Sequence, residues 1–139
     1  TILRAGMLSA LLLLAPATAS LADTPDQTAI QTVMHGMFDK PDVELVISPV
    51  SVEGGFAVAG WTQGDMGGRA FLKKDGAKWS LILCTGDGIR SVEALTASGV
   101  PSQTARALAA AIAEQEKSVD PERLKKLASF QGTVRMDGQ

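Results

Sequence analysis

The side chains best suited to chemistry in this 139-residue chain are those that carry sulfur or imidazole. Met34, His35 and Met37 stand within four residues of one another, and Met66 and Cys84 follow further along the chain. Thioether and thiolate sulfur are soft ligands that select Cu(I), and imidazole suits copper in either oxidation state. These five side chains are therefore candidate ligands of a copper ion, with Cys84 first and Met66 second.

One regular helix cannot direct Met34, His35 and Met37 at a single ion. At about 100° per residue, the two methionines share the helix face that carries Ile30, whereas His35 points well away from it. In the alternative interpretation, both methionines fill the core and His35 is a polar surface residue, because Met commonly fills gaps in a core. A metal site at this segment would require a broken helix or a partner chain.

Cys84 ends a predicted strand and leads directly into the turn Thr85-Gly86-Asp87-Gly88. The default interpretation is a buried structural thiol, since free Cys is among the most buried residue types. The alternative is a Cu(I) thiolate ligand that shares the ion with Met66 or another methionine. A single Cys and a single His exclude an intrachain disulfide, an all-Cys metal site and a His-rich metal cage.

Catalytic interpretations have weaker support in the sequence, and we expect no enzyme. The residues around Cys84 and His35 match no protease-type signature, and neither a Gly-Xaa-Ser-Xaa-Gly elbow nor a phosphate-binding loop occurs. Asp65 and Asp87 lie in glycine-rich turns, where Asp usually bonds to nearby backbone; Asp87 is positioned to cap a helix that begins near Gly88. A small hydrolase with these two carboxylates as acid and base is the remaining enzymatic hypothesis.

A leader is expected before the segment that carries these residues. Residues 7–19 read MLSALLLLAPATA, follow one basic residue and end in small residues, which is the layout of a secretory signal peptide. The apolar run is shorter than the ~20 residues that span a bilayer, although an uncleaved anchor is the alternative. With cleavage after Ala22, residues 1–22 are a signal peptide and residues 23–139 form one periplasmic domain without a membrane span. A net charge of -2 and a pI near 5.3 provide no electrostatic basis for nucleic-acid binding.

The expected domain begins with a helix and continues with strands. Thr24-Pro25 predicts the start of a helix over 25–39, which Pro41 ends. β-branched and aromatic runs separated by glycine-containing turns predict four strands, at 43–53, 56–64, 69–74 and 77–84. Short turns make neighbouring strands antiparallel, and Pro49 indicates an edge strand or a bulge.

Three short helices are predicted after the strands, beginning near Ile89, Pro101 and Asp120, and residues 132–139 are expected to form a tail. The fold class is therefore α+β: an N-terminal helix on a four-stranded antiparallel meander, then two or three short helices. By fold-level analogy alone, this order is like a cystatin or NTF2-like wrap. The two tryptophans are interpreted as cross-strand packing, and a basic cluster is interpreted as a solvated sheet face: Arg69, Lys73, Lys74 and Lys78.

Several segments resemble a family of small exported bacterial proteins, the copper uptake system-associated proteins. They cover the mature chain in order: Phe38 to Pro41, Ala59 to Ala70, Trp79 to Asp87, Gly99 to Pro101 and Phe130 to Met136. The blocks Gly-Trp-Xaa-Gln-Gly-Asp and Leu-Cys-Xaa-Gly-Asp are the most specific. The resemblance implies a periplasmic role near copper acquisition in Gram-negative bacteria, with other periplasmic copper-handling proteins as partners. We therefore expect a non-enzymatic accessory protein that binds Cu(I) weakly or docks to copper carriers; the alternative is a metal-free protein-interaction module.

Overall fold

Helix α1, Pro25–Phe38, is the first element of the computed structural model, which describes residues 23–137. Its start is fixed by a capping box, in which the Thr24 hydroxyl accepts from the Gln27 amide and the Gln27 side chain accepts from the Thr24 amide. Ile30 and Met34 form its buried face. The predicted signal peptide lies outside the described residues.

Five antiparallel strands follow, in the spatial order β1-β2-β3-β4-β5. Their bounds are β1 Leu45–Glu53, β2 Phe56–Gln63, β3 Met66–Asp75, β4 Lys78–Thr85 and β5 Thr133–Arg135. The α+β class and the meander of the first four strands are confirmed. Pro49 lies in edge strand β1, at a shift in register between Ile47 and Val50, as its presence in a strand predicted.

The fifth strand corrects the expectation that residues 132–139 form a tail. Thr133–Arg135 pairs with the end of β4, and Val134 lies opposite Cys84. A three-residue strand is too short for periodicity to identify, and its hydrogen-bond partner lies about fifty residues earlier in the chain. Strand β3 also begins at Met66 rather than at residue 69, because Gly64 and Asp65 alone make the preceding turn.

The remaining helices cover the face of the sheet opposite α1. They are α2 Val92–Ala97, α3 Ser102–Glu116 and α4 Pro121–Ala128, preceded by a short 3₁₀ helix at Asp87–Ile89. Strand side chains alternate between two cores, so Ala57 and Ala59 pack toward α1 while Val58 packs toward α2 and α3. Within residues 23–137, no helix is both long enough and apolar enough to cross a bilayer.

Arg69 is buried, which corrects its interpretation as part of a solvated basic cluster. Its side chain is 2% exposed, and it bonds to Glu116 of α3 and to Asp87 after β4. The alternation of β3 places Arg69 on the same face as Phe71, where α3 packs. Asp87 therefore pairs with Arg69 instead of capping the helix that follows it, and Gly86 occupies the N-cap position without a side-chain bond.

Candidate metal centre

A cavity of about 370 Å³ lies where the last turn of α1 meets the β2–β3 hairpin and the β4–β5 pair. Residues 23–137 contain five sulfur-bearing side chains: Met34, Met37, Met66, Cys84 and Met136. All but Met34 line this cavity. Apolar side chains form most of the remaining wall: Phe38, Trp61, Phe130 and Val134. Four sulfur-bearing side chains from distant parts of the sequence therefore line one largely apolar cavity.

Met37 reaches the cavity because the end of α1 is tied to the sheet. The Gln63 side-chain amide donates to the Phe38 carbonyl oxygen at 2.8 Å, which links the last residue of α1 to the end of β2. The Asp39 amide donates to the His35 carbonyl and closes the helix. Met37 stands in this last turn with 49% of its surface exposed, at the mouth of the cavity.

Met66 comes to the same mouth from the β2–β3 hairpin. It is the first residue of β3 and pairs with Gln63 across the two-residue turn, in which Gly64 has a φ of +61°. A positive φ at this place favours glycine, since other residues rarely adopt it. Gln63 thus contacts both methionine-bearing segments, and Met66 remains 59% exposed.

Cys84 lies deeper than the two exposed methionines. It is 6% exposed on β4, between Ala70 of β3 and Val134 of β5, and it faces the cavity and the core on the α1 side of the sheet. Burial raises the pKa of the Cys84 thiol to about 11. At neutral pH the sulfur is therefore a thiol rather than a thiolate, and a metal that binds it must displace the proton.

Met136 enters the cavity through the short last strand. Its backbone amide donates to the Ile82 carbonyl at 2.8 Å, which continues the β4–β5 pairing by one residue. The Thr85 hydroxyl donates to the Gly132 carbonyl and holds the start of the same segment. The segment after Gly132, which the sequence predicts to be a tail, thus contributes one of the four sulfur-bearing side chains.

Trp61 forms a rigid part of the cavity wall. Its ring packs edge-to-face with Phe130, with centroids 6.0 Å apart and planes at 76°. Gly68 stands opposite Trp61, and a Cβ atom there would lie 3.1 Å from Trp61 Cζ2, so a glycine leaves room for the indole. In the described part of the chain, the buried Trp61 Nε1 has no hydrogen-bond partner.

The other two predicted ligands lie elsewhere. Met34 is 1% exposed in the core beneath α1, as its packing interpretation predicted. His35 lines a neighbouring depression of about 730 Å³ along β1, which shares Asp39 and Lys40 with this cavity, and its Nδ1 atom is 2.6 Å from Asp39 Oδ1. The structure therefore brings Cys84, Met66 and Met37 together and leaves Met34 and His35 apart from them.

Sequence reasoning missed Met136 and Trp61 as parts of the site. Thr133, Val134, Arg135 and Met136 alternate between polar and apolar residues after a glycine, and this alternation is the available signal for a strand. Trp61 was assigned to packing alone. Its place beside the sulfur atoms depends on the pairing of β2 with β3, which no local pattern shows.

The sulfur donors of the cavity are soft, and its lining also includes the polar residues Asp39, Lys40 and Gln63. Among residues 23–137, no group of three or more His, Cys, Asp and Glu side chains is arranged to hold a metal ion. Thioethers suit Cu(I), whereas Mg²⁺ and Ca²⁺ require oxygen ligands. Comparisons of the chain with protein-family models, curated proteins and solved structures find no match. The sulfur-lined cavity is therefore the main basis for a functional assignment.

Proposed function

We propose that this chain is an exported accessory protein of bacterial copper uptake and that it binds Cu(I) in the sulfur-lined cavity. One observation carries the proposal: of the five sulfur side chains in residues 23–137, four line a single cavity, as described above. The resemblance of the sequence to copper uptake system-associated proteins supports the same assignment.

Packing does not explain the exposed methionines. Met34 is 1% exposed and fills the core, where an adaptable thioether is useful. Met37 and Met66 are 49% and 59% exposed and fill no interior space. Exposing two large apolar side chains around one cavity has a cost in water, so their position calls for a ligand or partner.

The donor set favours a monovalent soft cation that is exchanged readily. Three of the four sulfur side chains are neutral thioethers, and the one acidic residue of the lining, Asp39, is matched by Lys40, so the site collects little net negative charge to retain a divalent ion. The two exposed thioethers stand at the mouth, where an incoming ion meets them first. Reversible binding of this kind suits a protein that passes copper on rather than one that stores it.

The direct test is an anaerobic titration in which the full chain competes with a colorimetric Cu(I) chelator. We expect one Cu(I) per chain in the wild type. The double variant Met37→Leu/Met66→Leu keeps apolar side chains of similar volume and removes both exposed sulfur atoms. Its affinity for Cu(I) should fall by at least about 10- to 100-fold, which is the loss that follows removal of a residue that supports the ligands of a metal.

Two matched variants control this experiment. Met34→Leu removes a buried sulfur outside the cavity, and His35→Gln removes the imidazole of the neighbouring depression. Both should bind Cu(I) as the wild type does. Wild-type affinity in the double variant, or no Cu(I) withdrawn from the chelator by any form, would refute the assignment.

Export is the second part of the proposal. Residues 1–22 have the order of a signal peptide, namely a basic residue, an apolar run and small residues at the cleavage site. The chain, expressed with an initiating Met in a Gram-negative host, should be recovered from the periplasm with Asp23 at its N-terminus. Retention of residues 1–22 in a membrane fraction would instead indicate an uncleaved anchor.

A metal-free interaction module is the second candidate, and one observation favours it. Among the described residues, three of the five large hydrophobic side chains that are exposed border this cavity: Met37, Met66 and Val134. A clustered apolar patch of this kind is a common feature of protein-binding surfaces. The patch would receive an apolar segment of another periplasmic protein.

Copper dependence separates the two candidates. The purified chain is used to capture proteins from a periplasmic extract, once with Cu(I) and once with a chelator present. Capture that does not depend on copper and is lost in Val134→Asp favours the interaction module. Capture that requires Cu(I) and is lost in the double methionine variant favours the copper accessory protein.

A further inference from the structure

Trp61 has one property that packing alone does not explain. Its Nε1 atom is buried and has no hydrogen-bond partner within the described residues, although an unpaired buried donor is costly because it has lost its bonds to water. A phenylalanine would fill much of the same space without that donor. The fold nevertheless accommodates the indole, with Gly68 opposite it and Phe130 against its ring.

Trp79 provides the comparison within the same sheet. Its Nε1 atom donates to Asp26 Oδ1 at 3.0 Å, so its polar atom is satisfied as expected of a buried tryptophan. Trp79 is 2% exposed in the core and lies outside the cavity. Of the two tryptophans, Trp61 is the one that lines the sulfur cavity, and it is also the one whose Nε1 atom has no hydrogen-bond partner among the described residues.

The lining of the cavity shows what an indole would add. Its sulfur donors are three thioethers and one buried thiol, and the lining also includes one acidic residue, Asp39, and one basic residue, Lys40. The Asp39 carboxylate at the rim is hydrogen-bonded to His35. A cation in this apolar space therefore gains from an electron-rich ring, and tryptophan has the strongest cation–π attraction of the aromatic residues.

We propose that Trp61 is a further binding residue for the cation and that its indole ring stabilises Cu(I) among the sulfur atoms of the cavity. This inference rests on the proposed function, since it assigns a role to Trp61 within the same site. The ligand class it implies is a soft monovalent cation, Cu(I) or Ag(I), and no bond is formed or broken at the indole.

Tryptophan emission tests the proposal without changing the site. In Trp79→Phe, Trp61 is the sole tryptophan of the chain, and addition of Cu(I) without oxygen, or of Ag(I), should quench its emission in step with binding. Trp61→Phe should show no such quenching. Cu(I) binding that leaves the emission of Trp79→Phe unchanged would overturn the proposal.

Affinity provides the second readout. Trp61→Phe keeps a weaker aromatic ring and Trp61→Leu keeps none, so competition against the chelator should show a stepwise loss, about 2- to 30-fold in total. Trp79→Phe should retain wild-type affinity. Equal affinities in wild type, Trp61→Phe and Trp61→Leu would refute a role for Trp61 while leaving the copper site intact. Failure of the wild type to bind Cu(I) would refute the proposed function itself.

Discussion

Arg69 Nη2 lies 2.6 Å from Glu116 Oε1, and the two side chains are only 2% and 5% exposed. This ion pair joins the centre of the sheet to the last turn of α3. Arg69 also donates to the Gly86 carbonyl and to Asp87, so one guanidinium connects β3, the turn after β4 and a helix. Two charges in such a position depend on each other, because each would be costly to bury alone.

Arg69→Met should therefore destabilise the protein by about 3–5 kcal/mol, since it leaves the Glu116 carboxylate buried. Arg90 Nε lies 3.1 Å from Glu116 Oε2. Arg90 therefore still pairs with Glu116 in Arg69→Met, which places the expected destabilisation toward the lower end of that range. Urea unfolding measures the effect, with Lys117→Met as the control because Lys117 is 71% exposed. The double variant Arg69→Met/Glu116→Met should recover most of the stability. A double variant as unstable as Arg69→Met would show that the pairing is not the cause.

Local patterns were sufficient for the elements that are stabilised locally. The start of α1 depends on Thr24 and Gln27, three residues apart, and the β2–β3 and β3–β4 hairpins depend on two-residue turns that contain Gly64 and Gly76. Each of these signals lies within a few residues of its effect. The α+β class follows from them directly.

Distant partners explain what the sequence did not reveal. Arg69 is buried because Glu116, 47 positions later, arrives on α3, and Thr133–Arg135 is a strand because β4 pairs with it. The residues of the candidate site divide into the same two groups, those that residue type identifies and those that a distant strand brings into place. Met37, Met66 and Cys84 could be named as candidates by residue type, but the arrival of Met136 beside them depends on β5. Met34 and His35 lie within three residues of Met37 in the sequence, but Met34 is in the core and His35 lines the neighbouring depression.

Two glycines, Gly67 in β3 and Gly36 in α1, should respond oppositely to alanine. A Cβ atom at Gly67 would lie 2.5 Å from the Lys126 carbonyl oxygen of α4, so helix and strand must separate. A Cβ atom at Gly36, within α1, would meet no heavy atom within 4 Å. We expect Gly67→Ala to cost about 1–3 kcal/mol and Gly36→Ala to stabilise by about 0.5–1 kcal/mol. Thermal unfolding of the two variants measures the difference, and a stable Gly67→Ala would mean that α4 does not pack on β3 this closely.

Asp26 should make stability depend on pH in the acid range. Hydrogen bonds from Lys74 and then from Trp79 lower the pKa of the Asp26 carboxyl below its usual value of 3.8. A lowered pKa in the folded state means that the stabilisation is fully present above the unfolded pKa and is lost as the pH falls through the folded pKa. Urea unfolding between about pH 5 and pH 2 should therefore show a flatter profile for Asp26→Asn than for the wild type.

Asp23→Asn is the control for the Asp26 experiment, because Asp23 is an exposed carboxylate three residues earlier. Its profile should follow that of the wild type through the whole range. If Asp26→Asn and the wild type lose stability in parallel as the pH falls, the bonds to Lys74 and Trp79 do not contribute to folding.

Cys84 should react slowly with alkylating reagents in the folded protein. The thiolate is the reactive form, and a pKa raised from 9.0 to about 11 reduces its fraction about a hundredfold at pH 8. Burial at 6% exposure slows the reaction further. Mass spectrometry after timed exposure to iodoacetamide should show that Cys84 is alkylated at least about a hundredfold more slowly in the native protein than in the same protein unfolded in urea. Cu(I) should slow the alkylation of Cys84 in the native protein further. Ala70→Val crowds the position beside Cys84 on β3 and is a structural control for this experiment. Rapid alkylation of the native protein would mean that Cys84 is open to solvent, contrary to its burial on β4.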